Sequence, residues 1–267
     1  MIITSKQNPA VKFLLSLRQR REREQSGLTL VDGFEELLCA LDAGVRIKTL
    51  YYCPELMGGT DQTKLLARLT ADGVEAVECS RPVFEKVAYR EGPDGWLAIV
   101  PAPKTDLQNL ALKPNPFILI CESVEKPGNL GAMLRTADAA GADAVISVSA
   151  VTDWGNPNVI RASKGAVFAV PVANASPQEA LAWLRRNKIA VIASTPDTDT
   201  LFTTPDLTGG VALTVGSEKY GHSDAWLGEA DTRVRIPMAG KVNSLNVATS
   251  AALLLYEAVR QRAVAKS

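Results

Sequence analysis

Histidine is almost absent from this chain of 267 residues, which contains His222 and no other histidine. A Ser–His–Asp relay would therefore have a single candidate base. The four cysteines are far apart in the sequence and form neither a CxxC pair nor a cluster with histidine, so a zinc site is not expected. Scattered cysteines are typical of a reducing compartment, and we expect a cytoplasmic protein.

The chain also lacks net charge, since 29 lysines and arginines balance 29 aspartates and glutamates. Any binding to nucleic acid must therefore depend on a local basic patch. No apolar run approaches the ~20 residues of a membrane helix, and the polar first residues do not resemble a signal peptide. Neither a phosphate-loop lysine motif nor a GxGxxG motif is present, so a standard nucleotide site is not supported.

The domain organisation follows from a proline-bounded segment between two regions of alternating strands and helices. We expect an α/β domain over residues 1–104, a linker over 105–116 and a second α/β domain over 117–267. In the second domain the alternation predicts a mostly parallel sheet, with ligands at the carboxyl ends of its strands. One of these strands is expected over residues 167–172.

A basic amphipathic helix is predicted near the N-terminus, with Ser5 or Asn8 as its cap and Pro9 at its first position. Arginines on such a helix can contact phosphates, but a solvated helix face also explains a run of charge. The candidate RNA-binding residues are Lys12, Arg18, Arg20, Arg21 and Arg23.

Three loops that follow predicted strands of the second domain carry polar side chains. The first leads into an alanine-rich helix, where a partly buried Arg135 would need an anionic partner, either a ligand or a carboxylate such as Asp138 or Glu122. In the second, GSEKYGHS, Gly216 permits close approach of a ligand, and Glu218 can serve as acid, base or orienting acceptor.

The third loop lies between a strand at residues 234–236 and a C-terminal helix that is apolar on most of its surface. We expect that helix to be buried, with Ser244 as its N-cap. Its N-terminus offers free backbone N–H groups to a ligand. Together the three loops predict an α/β enzyme with a polar, anion-tolerant pocket.

The stretches NLGAMLRTA, LTVGSEKYG and IPMAGKVNSLNVATSAALLLYE resemble the three motifs of the SpoU (TrmH) branch of the SPOUT RNA methyltransferases. Their order, spacing and strand context agree with that family over residues 117 to about 260. The first hundred residues resemble, more loosely, the substrate-binding domain that precedes the catalytic domain in many members and is similar to small RNA-binding ribosomal proteins. Its pattern is met by Ser5 to Leu17 and by Val31-Asp32-Gly33.

The resemblance implies S-adenosylmethionine as methyl donor and a ribose 2′-hydroxyl of RNA as acceptor. It implies a SPOUT-type α/β fold, a mostly parallel sheet with helices on both faces and a C-terminal trefoil knot. It further implies a homodimer whose active site is shared across the interface, with no metal. The two-domain layout favours ribosomal RNA, and 23S RNA in particular, over tRNA.

The resemblance also assigns residues to roles. Catalytic positions are implied for Arg135, Asn129, Glu218, Ser244 and Asn246. The cofactor pocket is implied at Thr195, Gly216, Ile236, Met238, Leu245 and Asn246. Since the pKa of arginine exceeds about 12, we expect Arg135 to bind phosphate and stabilise charge rather than to act as a base. We expect His222 to lie on the surface of a turn.

Three alternatives remain at this level. A tRNA ribose methyltransferase would share the catalytic motifs. A non-catalytic RNA-binding or assembly factor would share the scaffold, although the intact polar residues argue against it. An unrelated α/β enzyme would bind a nucleotide instead of S-adenosylmethionine.

Overall fold

Two β-sheets organise the protein, for which a computed structural model describes residues 2–265. The strands are β1 Ile2–Ile3, β2 Leu28–Asp32, β3 Thr49–Tyr52, β4 Glu75–Cys79, β5 Trp96–Pro101, β6 Phe117–Glu122, β7 Ala144–Val148, β8 Val172–Ala175, β9 Ala190–Ser194, β10 Val211–Val215 and β11 Thr232–Val234. The helices are α1 Pro9–Ser16, α2 Arg20–Ser26, α3 Phe34–Asp42, α4 Thr60–Ala71, α5 Arg81–Val87, α6 Pro127–Ala139, α7 Pro157–Ala162, α8 Pro177–Arg186, α9 Asp224–Glu229 and α10 Val247–Val264.

The chain forms two units, each with its own sheet. Residues up to Pro103 and the segment Asp153–Ala169 form the first, whereas Lys104–Thr152 and the residues from Val170 onward form the second. The sheet of the first unit has the order β1-β4-β3-β5-β2, in which β5 runs antiparallel to its two neighbours. Its core joins α1 to α5 through Leu14, Leu17 and Phe84.

The predicted basic helix begins where expected, because the Asn8 side chain accepts a hydrogen bond from the Ala10 N–H and Pro9 opens the helix. It is not continuous, however, and breaks into α1 and α2 at residues 17–19. Leu17 is fully buried at this break. Packing of Leu17 therefore overrides the helical periodicity that suggested a single element.

The segment Asp153–Ala169 belongs to the first unit, although the sequence boundaries assign it to the second domain. A buried ion pair joins Arg23 to Asp153, and the Thr29 hydroxyl donates to the Gly155 carbonyl. The strand predicted over residues 167–172 is wrong, since a 3₁₀ turn occupies Ala166–Phe168 and β8 starts at Val172. Val167, one of the apolar residues that suggested a strand, is instead buried in that turn.

The second unit contains a six-stranded parallel sheet with the order β11-β9-β10-β6-β7-β8. Its strands are nearly continuous apolar runs, as expected for a sheet buried on both faces. Ile118 and Ile120 share one core cluster with Trp183 of α8 and Trp226 of α9. Cys121 contacts Met133 of α6. The α/β class, with a mostly parallel sheet, is confirmed.

The expected linker is packed rather than free. Leu107 is buried, and Leu110 and Leu112 pack against the same core cluster of the second unit. The Asn174 N–H of β8 donates to the Thr105 carbonyl at 2.9 Å. This segment therefore behaves as part of the second unit.

Helix α10 is buried on one side only. Leu254, Leu255 and Ala258 are buried, whereas Leu253 and Tyr256 are 39% and 51% exposed. The expectation of a buried C-terminal helix therefore holds for one face of α10 and is wrong for the other in a single chain. Within residues 2–265, no helix is both long enough and apolar enough to span a membrane. The trefoil knot stays a prediction.

Candidate active site

The site is built at the carboxyl edge of the sheet in the second unit. Strands β6 and β10 are neighbours there, but β6 leads toward β7 and β8 while β10 adjoins β9 and β11. The order of the strands reverses between them, which is where open α/β sheets form a ligand crevice. The first two loops follow β6 and β10, and the third follows β11.

A chain of hydrogen bonds joins the three loops through their side chains. The Asn129 amide nitrogen donates to Glu218 Oε1 at 2.7 Å. The Asn129 side-chain oxygen Oδ1 accepts from the Asn246 side-chain nitrogen Nδ2 at 3.2 Å. The structure therefore brings together three of the five residues to which catalysis was assigned.

Glu218 also contacts the end of the loop that precedes α6, where its carboxylate accepts from the N–H groups of Glu125 at 3.1 Å and Lys126 at 3.3 Å. Burial alone would raise the pKa of Glu218, but the hydrogen bonds from Glu125, Asn129 and Lys126 outweigh it and lower the pKa. The side chain is thus an ionised acceptor at neutral pH. Of the three roles left open, this geometry favours the orienting acceptor.

The loop that carries Glu218 is a tight turn with no room for a side chain at its start. Ser217 and Gly221 exchange backbone hydrogen bonds at 2.9 and 3.1 Å. A Cβ atom on Gly216 would lie 2.1 Å from the Gly221 carbonyl carbon. Glycine is therefore required at residue 216, and the predicted close approach is first of all an approach of the chain to itself.

The third loop ends at Asn246, which is the N-cap of α10 and accepts from the Ala248 N–H at 2.9 Å. The prediction of Ser244 as the cap is wrong, since Ser244 lies exposed in the loop, two residues before Asn246. Both residue types are good caps, so the choice between them depends on where the helix starts. Ser244 takes no part in the chain of hydrogen bonds described above.

Arg135 lies on α6 and is exposed rather than partly buried. Among the described residues it forms no ion pair with Asp138 or with Glu122. The Glu122 oxygens are instead taken by His222 and Ser223. The guanidinium of Arg135 is therefore available to an anionic ligand.

The residues assigned to the cofactor follow three adjacent strands. Thr195 follows β9, and its N–H donates to the Val234 carbonyl at 2.9 Å. The others come from the loop after β10 or the loop after β11: Gly216, Ile236, Met238, Leu245 and Asn246.

The third loop suits a ligand held by backbone groups. From Ile236 to Leu245, within the described part of the chain, no backbone N–H or carbonyl forms a hydrogen bond to another backbone group. Free backbone donors and acceptors, together with the half-exposed Met238 and the exposed Leu245, fit an adenine ring and a ribose. The residues present therefore fit S-adenosylmethionine, which would supply a methyl group on a sulfonium.

His222 is a further residue for which the expected position is wrong. Its imidazole is completely buried, and Nδ1 lies 2.8 Å from Glu122 Oε2. A turn-surface histidine was expected because nothing local in the sequence points to a partner 100 residues earlier.

Comparison with known proteins agrees with this geometry. The sequence profile of the SpoU rRNA Methylase family matches residues 116–256, and that of an MRM3-like substrate binding domain matches residues 8–98. The chain belongs to the SpoU rRNA methylase family. This membership confirms the enzyme class, an RNA methyltransferase that uses S-adenosylmethionine.

Full-length relatives carry the same two parts. A 23S rRNA (uridine(2479)-2′-O)-methyltransferase of Streptomyces viridochromogenes is 30% identical over 97% of this chain and 92% of its own length. The crystal structure of an RNA 2′-O ribose methyltransferase is 39% identical, covers 98% of this chain and 100% of its own, and has a TM-score of 0.88. An AdoMet-bound rRNA methyltransferase from Sinorhizobium meliloti, 31% identical over 97% of each chain, also has a TM-score of 0.88.

Proposed function

We propose that this SpoU methylase transfers a methyl group from S-adenosylmethionine to the 2′-hydroxyl of one nucleotide in 23S ribosomal RNA. The observation that carries the proposal is the hydrogen-bonded chain Glu218–Asn129–Asn246, which unites the three motif loops at one edge of the sheet. Relatives that match both parts of the chain are named as 23S rRNA 2′-O-methyltransferases, which supports ribosomal RNA over tRNA.

The chemistry requires an oriented 2′-hydroxyl. As the methyl group leaves the sulfonium sulfur for the 2′-oxygen, the hydroxyl proton would pass to solvent water at this edge, where Arg135, Ser244 and Asn246 are exposed. Arg135 offers an exposed cation on α6, which binds a phosphate next to the target ribose and stabilises charge that develops on the 2′-oxygen. Glu218 is a poor base because three donors hold its carboxylate, so it orients Asn129 instead. Ser244 lies exposed in the third loop, two residues before Asn246, where a hydroxyl can contact the substrate. Positioning then supplies much of the rate acceleration.

RNA binding is proposed for the first unit, and the contacts of each basic residue decide whether it can reach RNA. Arg23 does not qualify, because it is 3% exposed and bound to Asp153. Lys12, Arg18, Arg20 and Arg21 remain exposed.

A groove of about 620 Å³ in this unit is the best candidate for a phosphate path. Arg18 lies 4.8 Å over the Tyr89 ring, which holds its guanidinium at the groove. One Arg18 nitrogen donates to three carbonyls at the end of α5, those of Lys86, Val87 and Ala88. Its other nitrogens are left for a ligand. Lys86 lines the same groove, together with Glu85 and with Arg90, which is paired with Asp94.

A homodimer is proposed from the exposed apolar face of α10. Leu253 and Tyr256 are one turn apart on that face, and both are exposed in the single chain. Covering them with a second copy would bury apolar area worth about 25 cal/mol per Å². A shared active site would follow if Arg135 acts on the RNA held by the neighbouring subunit. A cytoplasmic location is proposed because all four cysteines are free thiols.

The test is methyl transfer to defined RNA. The purified protein is incubated with methyl-labelled S-adenosylmethionine and either unmodified 23S ribosomal RNA or unmodified tRNA. Label should enter only the 23S RNA and be recovered as a single 2′-O-methylated nucleoside. Label in tRNA alone would favour the tRNA alternative, and label in neither, with the cofactor bound, would favour an RNA-binding factor.

A further inference from the structure

A buried chain of hydrogen bonds lies below the turn that carries Glu218. His222 Nδ1 lies 2.8 Å from Glu122 Oε2, and His222 Nε2 lies 3.1 Å from the Thr214 hydroxyl. The Trp226 indole N–H donates to the same hydroxyl at 3.1 Å. Glu122 and the whole of Thr214 and Trp226 are buried, as is the His222 ring.

One arrangement of protons satisfies every member of this chain. Indole is a donor only, so the Thr214 oxygen accepts from Trp226 and its own proton points to His222 Nε2. Nδ1 then carries a proton and donates to Glu122. The second Glu122 oxygen accepts from the Ser223 hydroxyl at 2.6 Å. All donors therefore point in one direction, from Trp226 toward Glu122.

This chain fixes both partners of the Glu218 interaction. His222 directly follows Gly221, which closes the turn around Glu218. Glu122 ends β6 and immediately precedes the loop that supplies the Glu125 and Lys126 N–H groups to Glu218. The imidazole thus joins the loop after β6 to the loop after β10 below the point where their polar groups meet.

We infer that His222 is a positioning residue for methyl transfer, which holds the Glu218 turn against the loop after β6 through Glu122 and Thr214. The inference rests on the proposed function. His222 acts through Glu218, and hence through Asn129, rather than by contact with the substrate. The imidazole is fully covered, so it is not a catalytic base for the ribose hydroxyl.

The test compares two substitutions of His222 in the full chain. Glutamine can donate to Glu122 and accept from Thr214, whereas leucine of similar size can do neither. His222→Leu should lower kcat by about tenfold to a hundredfold with the KM for RNA unchanged, since small misplacements in an active site have such effects. His222→Gln should restore kcat to within about threefold of the wild type.

A double-mutant cycle with Glu218→Gln separates positioning from a general structural effect. If His222 acts through Glu218, adding His222→Leu to Glu218→Gln should lower kcat no further. Additive losses would overturn the inference, as would a His222→Leu enzyme with full activity. Thr214→Val, which removes one hydroxyl only, serves if the leucine variant does not fold and should show the same non-additivity.

Hydrogen exchange gives a readout that does not require methyl transfer. His222→Leu should speed exchange of the Glu125 and Lys126 amides while leaving the Ala180 amide of α8 unchanged. Unchanged protection at Glu125 and Lys126 would contradict the inference. The two proposals can fail separately. If the wild-type protein methylates no RNA, but His222→Leu still speeds exchange at Glu125 and Lys126, the proposed function is rejected while the role of His222 in positioning Glu218 stands.

Discussion

The side chains of Glu218 and Asn129 are joined by a 2.7 Å hydrogen bond, although 89 residues separate them in the sequence. Asn129 lies in the first turn of α6 and Glu218 in the turn after β10, so this contact closes the edge of the sheet between β6 and β10. Asn129 also reaches Asn246, which makes it the central member of the chain that unites the three loops.

Asn129→Ala should remove both of these bonds and leave Glu218 without its side-chain donor. We expect kcat to fall by at least about tenfold, since the loops lose their mutual orientation. The free energy of unfolding should fall by only about 1–3 kcal/mol, as for a hydrogen bond to a charged group. Steady-state methylation and urea denaturation measure the two effects.

A matched control is Asn109→Ala, which removes an exposed hydrogen bond to Asp106 in the same unit. That variant should retain full turnover. Equal activity of the two variants would mean that the bridge made by Asn129 has no part in catalysis.

Arg135→Ala should abolish methyl transfer and leave affinity for S-adenosylmethionine nearly unchanged, because the exposed guanidinium binds no other group of the described chain. Arg135→Lys should recover only part of the rate, since lysine keeps the charge but loses the bidentate geometry. Single-turnover kinetics and calorimetry separate the two effects. Loss of cofactor binding in Arg135→Ala would argue against a role confined to RNA.

Mixing inactive chains tests the shared site. Suppose that Arg135 serves the neighbouring subunit. A heterodimer of one Arg135→Ala chain and one Asn129→Ala chain then contains one site with both residues intact and one site with both substituted. Random pairing should then restore about a quarter of the wild-type rate, because half of the dimers carry one intact site. No recovery, after subunit exchange has been shown, would place Arg135 and Asn129 of the same chain in one site.

The buried ion pair of Arg23 with Asp153 predicts a structural role for Arg23. Arg23→Ala should destabilise the first unit by about 3–5 kcal/mol, because it leaves a carboxylate uncompensated. Arg81→Ala breaks an exposed pair with Glu85 and should cost less than about 1 kcal/mol. Thermal unfolding measures both. A mild effect of Arg23→Ala on unfolding with a large loss of RNA affinity would restore Arg23 as an RNA ligand.

Asp32 gives the first unit a predictable response to pH. Burial raises the pKa of Asp32 above its ordinary value of 3.8, despite the opposing hydrogen bonds from the Tyr89 and Arg90 N–H groups. Between pH 3.8 and the raised folded-state pKa, the folded state binds more protons than the unfolded state. The contribution of Asp32 to the free energy of unfolding therefore falls as pH rises through this range.

Asp32→Asn removes that titration. The stability of the variant relative to the wild type should therefore increase as pH rises from 3.8 and level off above the folded-state pKa. Denaturant midpoints measured at several pH values test this. A difference that stays constant across the whole range would contradict the raised pKa.

Much of the second unit was predictable from sequence because its signals are local. The strand runs FILIC and VALTV fit their observed strands, and a capping box of Ser176 and Glu179 sets the start of α8, with Pro177 at its first position. In the first unit, the Asn8 cap and Pro9 set the start of α1. The motif loops could be located because each follows such a strand.

The errors concern contacts between residues distant in sequence. Burial of His222 depends on Glu122, and burial of Arg23 depends on Asp153, which lies 130 residues later. The 3₁₀ turn at Ala166–Phe168 lies at the end of the segment that belongs to the first unit, a placement that its apolar composition does not reveal. Periodicity and capping rules carry no information about such partners.

The central claim is that the loops after β6, β10 and β11 form one S-adenosylmethionine site, and Gly216 tests it most directly. Calorimetric titration with S-adenosylmethionine should show one site per chain in the wild type. Gly216→Ala should lose that binding, because the added Cβ would overlap the Gly221 backbone and displace the turn. Gly228→Ala, where nothing lies within 4 Å of the added atom, should bind as the wild type does. Wild-type affinity in a folded Gly216→Ala protein would contradict the account.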